Sequence, residues 1–339
     1  MRNLPTKENA KGVTFTVADF LEAGRDRLRL DVVAGGDALS LTVEEPSLNR
    51  VGLALTGFFE CFAQKRVQVF GNSENAYLMS LPSAERVERL KAIVGHGARI
   101  FVFTAGNRPG PEVVSICERA GAVLLTTDQP SRVFAHHATF VLERLGAPRT
   151  SLYGTMVEVS GIGVLFEGDP GLGKSETALG LIKRGAALVA DDLTCIRKDV
   201  VSNLLYASAS DSTAGYMEIR GIGIMHVPSV FGINAVRGEK RLQLVITFKR
   251  LKDIKGEVDR IGQTRRTRKI LGVDVANVII PVSEGRDLVN LVETAAQQQK
   301  LILAGYDPVE ELSERLRRRA DGKRARETEG AANGRENHA

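Results

Sequence analysis

Short apolar runs alternate with stretches of helical periodicity along the first part of the chain. The runs at 29–33, 66–70, 100–103 and 122–126 favour strands. The helices predicted between and after them are 83–94, begun by Ser83 as a cap, 112–119 and 131–145. Such alternation is typical of an α/β layer with a largely parallel sheet. We therefore predict an N-terminal α/β domain over residues 13–146.

The second part of the chain continues this pattern after a turn-rich segment, 146–149, that we interpret as an interdomain linker. Apolar residues on both sides of 160–163 predict a hairpin. The β-like runs that follow are 187–190, 217–219, 242–248 and 278–282, and helical patterns cover 286–303 and 309–319. These patterns predict a second domain over 150–304, a C-terminal helix within 305–319 and a disordered charged tail over 320–339.

One stretch of the second domain has a specific chemical signature, because it fits the phosphate-binding pattern G-x-x-x-x-G-K-[ST]. An apolar strand is predicted before it at 163–167, and a helix after it at 176–184 that Gly185 ends. Backbone N–H groups of such a loop surround phosphate oxygens, and the helix dipole adds to the attraction. We predict nucleoside triphosphate binding by Gly168, Asp169, Pro170, Gly171, Leu172, Gly173, Lys174 and Ser175.

Acidic residues follow two of the later predicted strands. Asp191 and Asp192 end the run at 187–190, so both carboxylates should emerge at the edge of the sheet where ligands bind in open α/β folds. One could order Mg²⁺ and the other accept a proton, or the pair could lack any role in proton transfer. Glu218 precedes Gly221 and Gly223, which suits a second metal ligand or simply a strand that ends in a turn.

Charge and composition exclude several classes of function. The formal net charge is +5, but residues 317–339 carry seven Lys/Arg and four Asp/Glu, so the rest of the chain is almost neutral. That balance is not typical of a nucleic-acid-binding surface.

We expect no membrane span and no export signal, and the three widely spaced cysteines indicate reduced thiols in a cytoplasm. Adjacent His136 and His137 would diverge by about 100° on a helix, so we expect a structural role.

The ordered set of motifs resembles one bacterial family, the HPr kinase/phosphorylases. The motifs of the second domain that carry the resemblance are 168–177 (GDPGLGKSET), 188–192 (LVADD), 218–223 (EIRGIG), 258–262 (VDRIG) and 281–286 (PVSEGR). In the first domain 48–59 and 67–71 are similar to the family as well. The resemblance extends from about residue 13 to residue 304, which makes it far more specific than the phosphate loop alone.

The resemblance implies a serine/threonine protein kinase whose second domain is similar to the nucleotide core of phosphoenolpyruvate carboxykinase. It implies ATP and Mg²⁺ as cofactors, a serine of the phosphocarrier HPr as acceptor, phosphorolysis of phosphoseryl-HPr as the reverse activity, and a homohexamer. By position, Lys174 contacts the phosphates, Ser175 and Glu218 bind Mg²⁺, and Asp192 is the catalytic acid/base. Arg260 supplies positive charge to the transferring phosphoryl group.

Three positions depart from the family pattern. Tyr153-Gly154 stands where the family usually has His-Gly, and Ala186 or Ala187 replaces a second usual histidine. Ser283-Glu284 replaces Arg-Pro and so places an anion where a cation is usual. Because a tyrosine has an ordinary pKa near about 10, it cannot shuttle protons at neutral pH as histidine does. We therefore predict that kinase activity is retained while phosphorolysis is reduced or lost.

Two other interpretations of the function stay open at this point. The chain could phosphorylate a different protein or a small hydroxylated metabolite, because the recognition surface cannot be identified in the sequence. It could also be a weakly catalytic nucleotide sensor, although a sensor has no need of both acids and Arg260. The basic residues at 265–269 follow Arg260 closely, and they form either an exposed loop or a docking surface for an acidic partner or phosphate.

Overall fold

The computed structural model describes residues 14–254 and 265–319, which form two compact α/β units. The first contains the described residues up to Arg149 together with Lys198–Ser202, and the second contains Thr150–Arg197 and the described residues from Asn203 onward. Within these ranges we find no helix with the length and apolar character that a membrane crossing demands. The two-domain α/β class predicted from the sequence is confirmed.

A five-stranded sheet forms the centre of the first unit. Its order is β2-β7-β6-β5-β4, in which β4 to β7 are parallel and β2 is antiparallel to β7. The strands of this unit are β1 (Phe15–Thr16), β2 (Asp31–Ala34), β3 (Thr42–Val43), β4 (Leu48–Arg50), β5 (Val67–Phe70), β6 (Ile100–Phe103) and β7 (Val123–Thr126). With one antiparallel strand at its edge, this is the largely parallel sheet that the sequence predicts.

Helices cover both faces of this sheet, because successive strand residues alternate between two apolar cores. The helices are α1 (Val17–Leu28), α2 (Gly52–Leu55), α3 (Asn72–Ser80), α4 (Ser83–Gly95), α5 (Pro111–Arg119) and α6 (Ser131–Gly146). The prediction that Ser83 caps α4 is wrong. Pro82 is the N-cap residue and Ser83 is the first helical residue, so its hydroxyl makes no cap hydrogen bond.

The second unit contains a larger sheet, in which the predicted hairpin at 160–163 is confirmed. Its strands are β8 (Arg149–Tyr153), β9 (Thr155–Val159), β10 (Ile162–Glu167), β11 (Ala187–Ala190), β12 (Leu193–Asp199), β13 (Leu204–Ser208), β16 (Glu239–Arg250), β17 (Arg266–Ile270) and β18 (Val273–Val282). A separate hairpin consists of β14 (Tyr216–Ile219) and β15 (Gly223–His226). The helices are α7 (Lys174–Lys183), α8 (Val227–Phe231) and α9 (Leu288–Leu303), and residues 308–319 are also helical.

The long strand β16 joins two parts of this sheet. Its first residues pair with β13, while from Leu242 onward it is parallel to β10 and then to β18. Because β10 and β11 are both antiparallel to β9, the strands β10, β11, β16 and β18 all run in one direction. Their carboxyl ends therefore meet at one edge, which is where open α/β sheets bind ligands.

Layers pack on both faces of this sheet. Helices α7 and α9 bury Leu181 and Val292 against Phe166 and Ile246 on one face. On the other face Ile196 and the strands β8, β12 and β13 pack against residues of β10, β16 and β18. This packing fixes the carboxyl ends of the parallel strands and the loops that follow them.

Candidate active site

The phosphate loop connects β10 to α7 and has a backbone that requires glycine. A Cβ on Gly168 would lie 2.6 Å from the carbonyl oxygen of Phe248, and Gly168 has a φ of 146°. Gly173, the N-cap residue of α7, has a φ of 83° in the left-handed region that favours glycine. The helix begins at Lys174, two residues earlier than predicted, so the Lys-Ser of the motif forms its first turn. Its N–H groups therefore lie at the loop.

Lys174 closes the loop on itself. Its Nζ donates hydrogen bonds to the carbonyl oxygens of Gly168 at 2.9 Å and Asp169 at 3.2 Å. The ammonium group thus lies beside the ring of backbone that phosphates contact in such loops. Phosphate oxygens would compete with these two carbonyls for the same donors, since an ammonium has three N–H groups.

Asp191 connects three elements at the centre of the site. Its Oδ1 accepts hydrogen bonds from Thr155 Oγ1 at 2.8 Å and Ser175 Oγ at 3.1 Å, and its Oδ2 accepts one from the backbone N–H of Glu218 at 3.1 Å. Burial raises the pKa of this carboxyl and these hydrogen bonds oppose the shift, while the nearby charge of Asp192 adds to it. Asp191 therefore fixes β9, the start of α7 and the β14–β15 hairpin to one another.

Asp192 has a different environment from its neighbour. Its side chain is exposed, and its backbone has a φ of 59°, in the left-handed region that Asp tolerates better than most residues. Its carbonyl oxygen accepts a hydrogen bond from the N–H of Gly154 at 2.8 Å, which holds this turn after β11. The two adjacent acids are thus divided, one buried and hydrogen-bonded, the other open to a ligand.

Glu218 lies on the exposed face of β14 and Arg220 is exposed in the turn directly after that strand, while Met217 is buried in the core. Arg220 Nη1 lies 4.0 Å from the position that a Cβ on Gly171 would take, so its guanidinium group is next to the phosphate loop. No described protein atom packs against the glycines after Glu218, as a Cβ on Gly221 or Gly223 would have no atom within 4 Å. Their φ values of 85° and 98° instead form the turn of the hairpin.

The other predicted residues lie in turns near the phosphate loop or outside the described residues. Tyr153 is 65% exposed at the end of β8, next to the Gly154 that binds Asp192. Ser283 and Glu284 begin the turn between β18 and α9, and Leu288 Cδ1 lies 3.8 Å from a Cβ position on Gly173. The predicted phosphoryl-contacting Arg260 and its motif 258–262 lie outside the described residues.

Residues 266–269 of the basic cluster at 265–269 lie in a strand and not in a loop, although they are exposed as predicted. Strand β17 pairs with β18, and its residues from Arg266 to Lys269 are exposed. Arg268 Nε lies 3.6 Å from Oε2 of Glu167, the last residue of β10, and Arg265 forms an ion pair with Asp307. Burial raises the pKa of Glu167, and the charge of Arg268 opposes that shift.

The donor set fits a nucleotide with a divalent cation. Ser175 supplies a hydroxyl oxygen, and Glu218 and Asp192 supply exposed carboxylate oxygens, which are the hard ligands that Mg²⁺ prefers. Mg²⁺ is commonly held by one or two carboxylates together with substrate phosphates. Within the described residues there is no group of three His, Cys, Asp or Glu that could hold a metal without such phosphates.

Two residues of this arrangement escaped the sequence analysis. Thr155 is fully buried and donates to Asp191, but in the sequence it is one hydroxyl at the start of an apolar strand. Arg220 belongs to the motif 218–223, but only the structure shows that its guanidinium group lies next to Gly171 of the phosphate loop. A buried threonine next to a predicted acidic edge is a weak signal, since many such hydroxyls only satisfy backbone groups.

The fold and this loop together define a nucleotide-binding protein of the P-loop class. Comparison with family models then gives the particular family: residues 15–142 match the HPr Serine kinase N terminus and residues 144–316 match the HPr Serine kinase C-terminal domain. The chain belongs to the HPr serine kinase family. The resemblance predicted from the motifs is confirmed.

Individual relatives agree with the family models. The HPr kinase/phosphorylase of Leptospira biflexa is 39% identical over 292 residues, which cover 86% of this chain and 90% of that protein. That of Treponema pallidum is 35% identical over 290 residues and covers 86% and 91%. The solved structure of the Hpr(Ser) kinase/phosphatase from Coxiella burnetii is 33% identical, covers 48% of this chain and 97% of that chain, and has a TM-score of 0.44.

Proposed function

We propose that this chain transfers the γ-phosphoryl group of ATP to a serine of the phosphocarrier protein HPr, with Mg²⁺ as its metal cofactor. The observation that carries the proposal is the division of the acid pair beside the phosphate loop. Asp191 is buried and bound to Ser175, whereas Asp192 is exposed and free to meet an acceptor hydroxyl. Relatives named HPr kinase/phosphorylase support HPr as the acceptor.

Each proposed role follows from a position in the site. The loop from Gly168 to Ser175 binds the phosphates, with Lys174 exchanging its two carbonyl partners for phosphate oxygens. Ser175 and Glu218 hold Mg²⁺, which neutralises phosphate charge when it is bound. Arg260, although outside the described residues, supplies further positive charge to the phosphoryl group in transfer.

Asp192 is the proposed proton acceptor of the reaction. The serine hydroxyl loses its proton to the Asp192 carboxylate as the serine oxygen bonds to the γ-phosphorus. The bond between that phosphorus and the bridging oxygen of the β-phosphate breaks, and ADP leaves with the electron pair. The exposure of Asp192 supports this role, because a general base must come within hydrogen-bond reach of the proton that it removes.

Phosphorolysis is expected to be weak in this chain. Tyr153, beside the Asp192 turn, is 65% exposed and presents a phenol where the family usually has the imidazole of a histidine, the side chain best suited to exchange protons near neutral pH. Glu284 lies exposed in the turn before α9 and would repel inorganic phosphate. Glu284 should affect the reverse direction more than the forward one, since only the reverse reaction takes orthophosphate as a substrate.

The assembly and location of the protein complete the proposal. A homohexamer, a regulatory or assembly role for residues 13–146 and a bacterial cytoplasmic location are implied by the family resemblance. The bacterial sources of the relatives support the last of these. Light scattering on the purified full chain would test the hexamer.

The decisive experiment measures transfer from γ-labelled ATP with Mg²⁺ to HPr from the same cell. Native protein should label HPr, and Lys174→Ala should not, because its ammonium group is lost from the phosphate loop. Release of pyrophosphate from phospho-HPr and orthophosphate is expected to be slow. ATP binding without labelled HPr would favour another acceptor or a nucleotide sensor, and rapid pyrophosphate release would contradict the loss of phosphorolysis.

A further inference from the structure

The β14–β15 hairpin has two faces of opposite character. Met217 and Ile219 are 1% and 4% exposed, because they pack into the core beneath α7. The other face carries Glu218, which is the direct cross-strand partner of Ile224. The candidate metal ligand therefore stands beside an isoleucine rather than beside a polar residue.

The apolar residues of this outer face are almost fully open. Ile222, in the turn after Arg220, is 72% exposed, and Ile224 is 78% exposed. A single exposed apolar side chain is ordinary, and it is the position of these two beside the candidate reactive groups that makes the outer face a candidate docking surface. We call Ile222 and Ile224 the apolar tip.

The apolar tip is fixed close to the groups that act in transfer. Cross-strand partners have Cβ atoms about 5 Å apart, so Ile224 lies about that far from Glu218. The backbone N–H of Glu218 is bound to Asp191 at 3.1 Å, and Asp192 is the next residue along the chain. A molecule that brings a hydroxyl to Asp192 therefore binds at the part of the site where Asp191 holds the β14–β15 hairpin.

The shape of the apolar tip favours a protein over a small molecule as its binding partner. A small substrate is usually enclosed by a concave pocket, whereas the apolar tip projects from a hairpin turn with open space around Gly221 and Gly223. We infer that the apolar tip docks against apolar side chains that flank the acceptor serine on the protein substrate. This inference rests on the proposed function and adds the surface that recognises the substrate.

The test compares native protein with the double variant Ile222→Ser/Ile224→Ser. Losing two apolar contacts should raise the KM for HPr, and the Kd for HPr measured by calorimetry, by about tenfold or more. The KM for ATP and the thermal unfolding temperature should stay near the native values, because neither side chain contributes to the core. Light scattering should give the same mass for both proteins.

Leu303→Ser is the matched control. Leu303 is 48% exposed at the end of α9, about 22 Å along that helix from Leu288 beside the phosphate loop. This variant should bind HPr as the native protein does.

The contrary results are distinct from one another. A KM and Kd for HPr within twofold of native in the double variant would overturn the docking inference while leaving the kinase intact. A changed mass would overturn it in favour of an interface between copies of this chain. Failure of the native protein to label HPr would overturn the proposed function, and the inference with it.

Discussion

Both compact units place polar side chains where parallel strands end, yet the two edges are built for different purposes. In the first unit these side chains bind one another. Asn107 joins Asn72 and Asn75 at 2.8 and 2.9 Å, and Thr104 contacts Ser131 at 2.7 Å. In the second unit Asp192 and Glu218 stand exposed beside a loop of backbone N–H groups. The same architecture therefore closes one edge with its own contacts and leaves the other for a ligand.

Two buried carboxylates show the difference most clearly. Burial opposes ionisation of Glu74, but hydrogen bonds from Arg50 and from the Gly71 N–H, with the charge of Arg50, lower its pKa overall. Asp191 receives only neutral donors in its three hydrogen bonds, so burial prevails and its pKa is raised. Glu74 has a cation inside the protein as its partner, whereas no cation contributes to the shift at Asp191, which leaves this carboxyl open to the proposed Mg²⁺.

The largest expected effect comes from removing the exposed acid of the second edge. Asp192→Asn should lower kcat for HPr phosphorylation by about 10²- to 10⁴-fold, the range typical of a lost general base. Asparagine also tolerates the left-handed backbone at φ 59°, so the fold should be retained. Single-turnover transfer of labelled phosphate measures the effect.

The control for this variant is an acid at the corresponding edge of the first unit. Asp128 follows β7 and pairs with Arg108 at 3.0 Å on the surface. Asp128→Asn should retain kcat within about twofold. A large loss of kcat in both variants, or in neither, would contradict the distinction between the two edges.

The next effect concerns the stability of the closed edge. Glu74→Gln weakens two hydrogen bonds to Arg50 of 3.0 Å each, and Arg50 is largely exposed, so water can solvate it afterwards. We expect a loss of about 1–3 kcal/mol in the unfolding free energy of the first unit. Hydrogen exchange of the full chain, followed in peptides from α3 and β5, measures it.

An exposed ion pair of the first unit serves as the comparison. Glu22 and Arg25 lie 2.6 Å apart on α1, and both side chains are more than 70% exposed. Glu22→Gln should therefore change stability by less than about 1 kcal/mol. Equal losses of unfolding free energy in Glu74→Gln and Glu22→Gln would show that burial of Glu74 does not strengthen its ion pair.

The sequence predicted the parts of the site that depend on local spacing. The strand, loop and helix around Gly168 to Ser175 lie within one continuous segment, and the acids at 191–192 directly end an apolar run. Their unequal burial could not be predicted, because Asp191 is covered by Thr155 and by the backbone of Glu218, 36 and 27 residues away along the chain. Contacts between residues so far apart in the chain leave no periodic pattern in the sequence from which burial could be predicted.

Some strands were also beyond prediction, for a related reason. β17 consists mainly of Arg, Thr and Lys residues with little apolar character, and only its pairing with β18 makes it a strand. β12 and β13 belong to the same large sheet, and their buried side chains pack against those of β10 and β16 as a second layer. Neither strand contains a long apolar run. The fold class could thus be predicted, but the second layer that covers the central sheet could not.

A smaller effect is expected from the hydroxyl behind Asp191. Thr155→Val keeps the shape of a fully buried side chain but removes the donor to Asp191 Oδ1, which also holds Ser175. The Mg²⁺ concentration for half-maximal activity should rise about tenfold, as for other residues that orient a metal ligand. Activity at saturating Mg²⁺ should change much less.

Thr104→Val is its counterpart at the closed edge. Thr104 is also fully buried, and its Oγ1 donates to the carbonyl oxygen of Phe70 at 3.1 Å. This variant should lower stability by about 1 kcal/mol and leave the Mg²⁺ requirement unchanged. A shifted Mg²⁺ requirement in Thr104→Val, or an unshifted one in Thr155→Val, would contradict the inference that Thr155 orients a ligand of Mg²⁺.

The smallest effect is a pair of opposite pH dependences. The Glu74 carboxyl has a lowered pKa in the folded protein, so its contribution to stability is present above its ordinary value of about 4.3 and is lost as the pH falls through the folded-state pKa. The Asp191 carboxyl has a raised pKa. Its contribution is therefore complete below about 3.9 and is lost as the pH rises through the folded-state pKa.

These dependences can be isolated by subtracting variants that do not titrate. The unfolding free energy of native protein minus that of Glu74→Gln should decrease as the pH falls below the ordinary glutamate pKa of about 4.3. Native minus Asp191→Asn should increase as the pH falls through the raised folded-state pKa of Asp191 towards the ordinary value of about 3.9. Each slope is limited to about 1.4 kcal/mol per pH unit, because one proton is involved. Denaturant titrations without nucleotide or Mg²⁺ would measure both. Slopes of the same sign would mean that Asp191, like Glu74, has a charge partner inside the protein, and the second edge would then need no arriving cation.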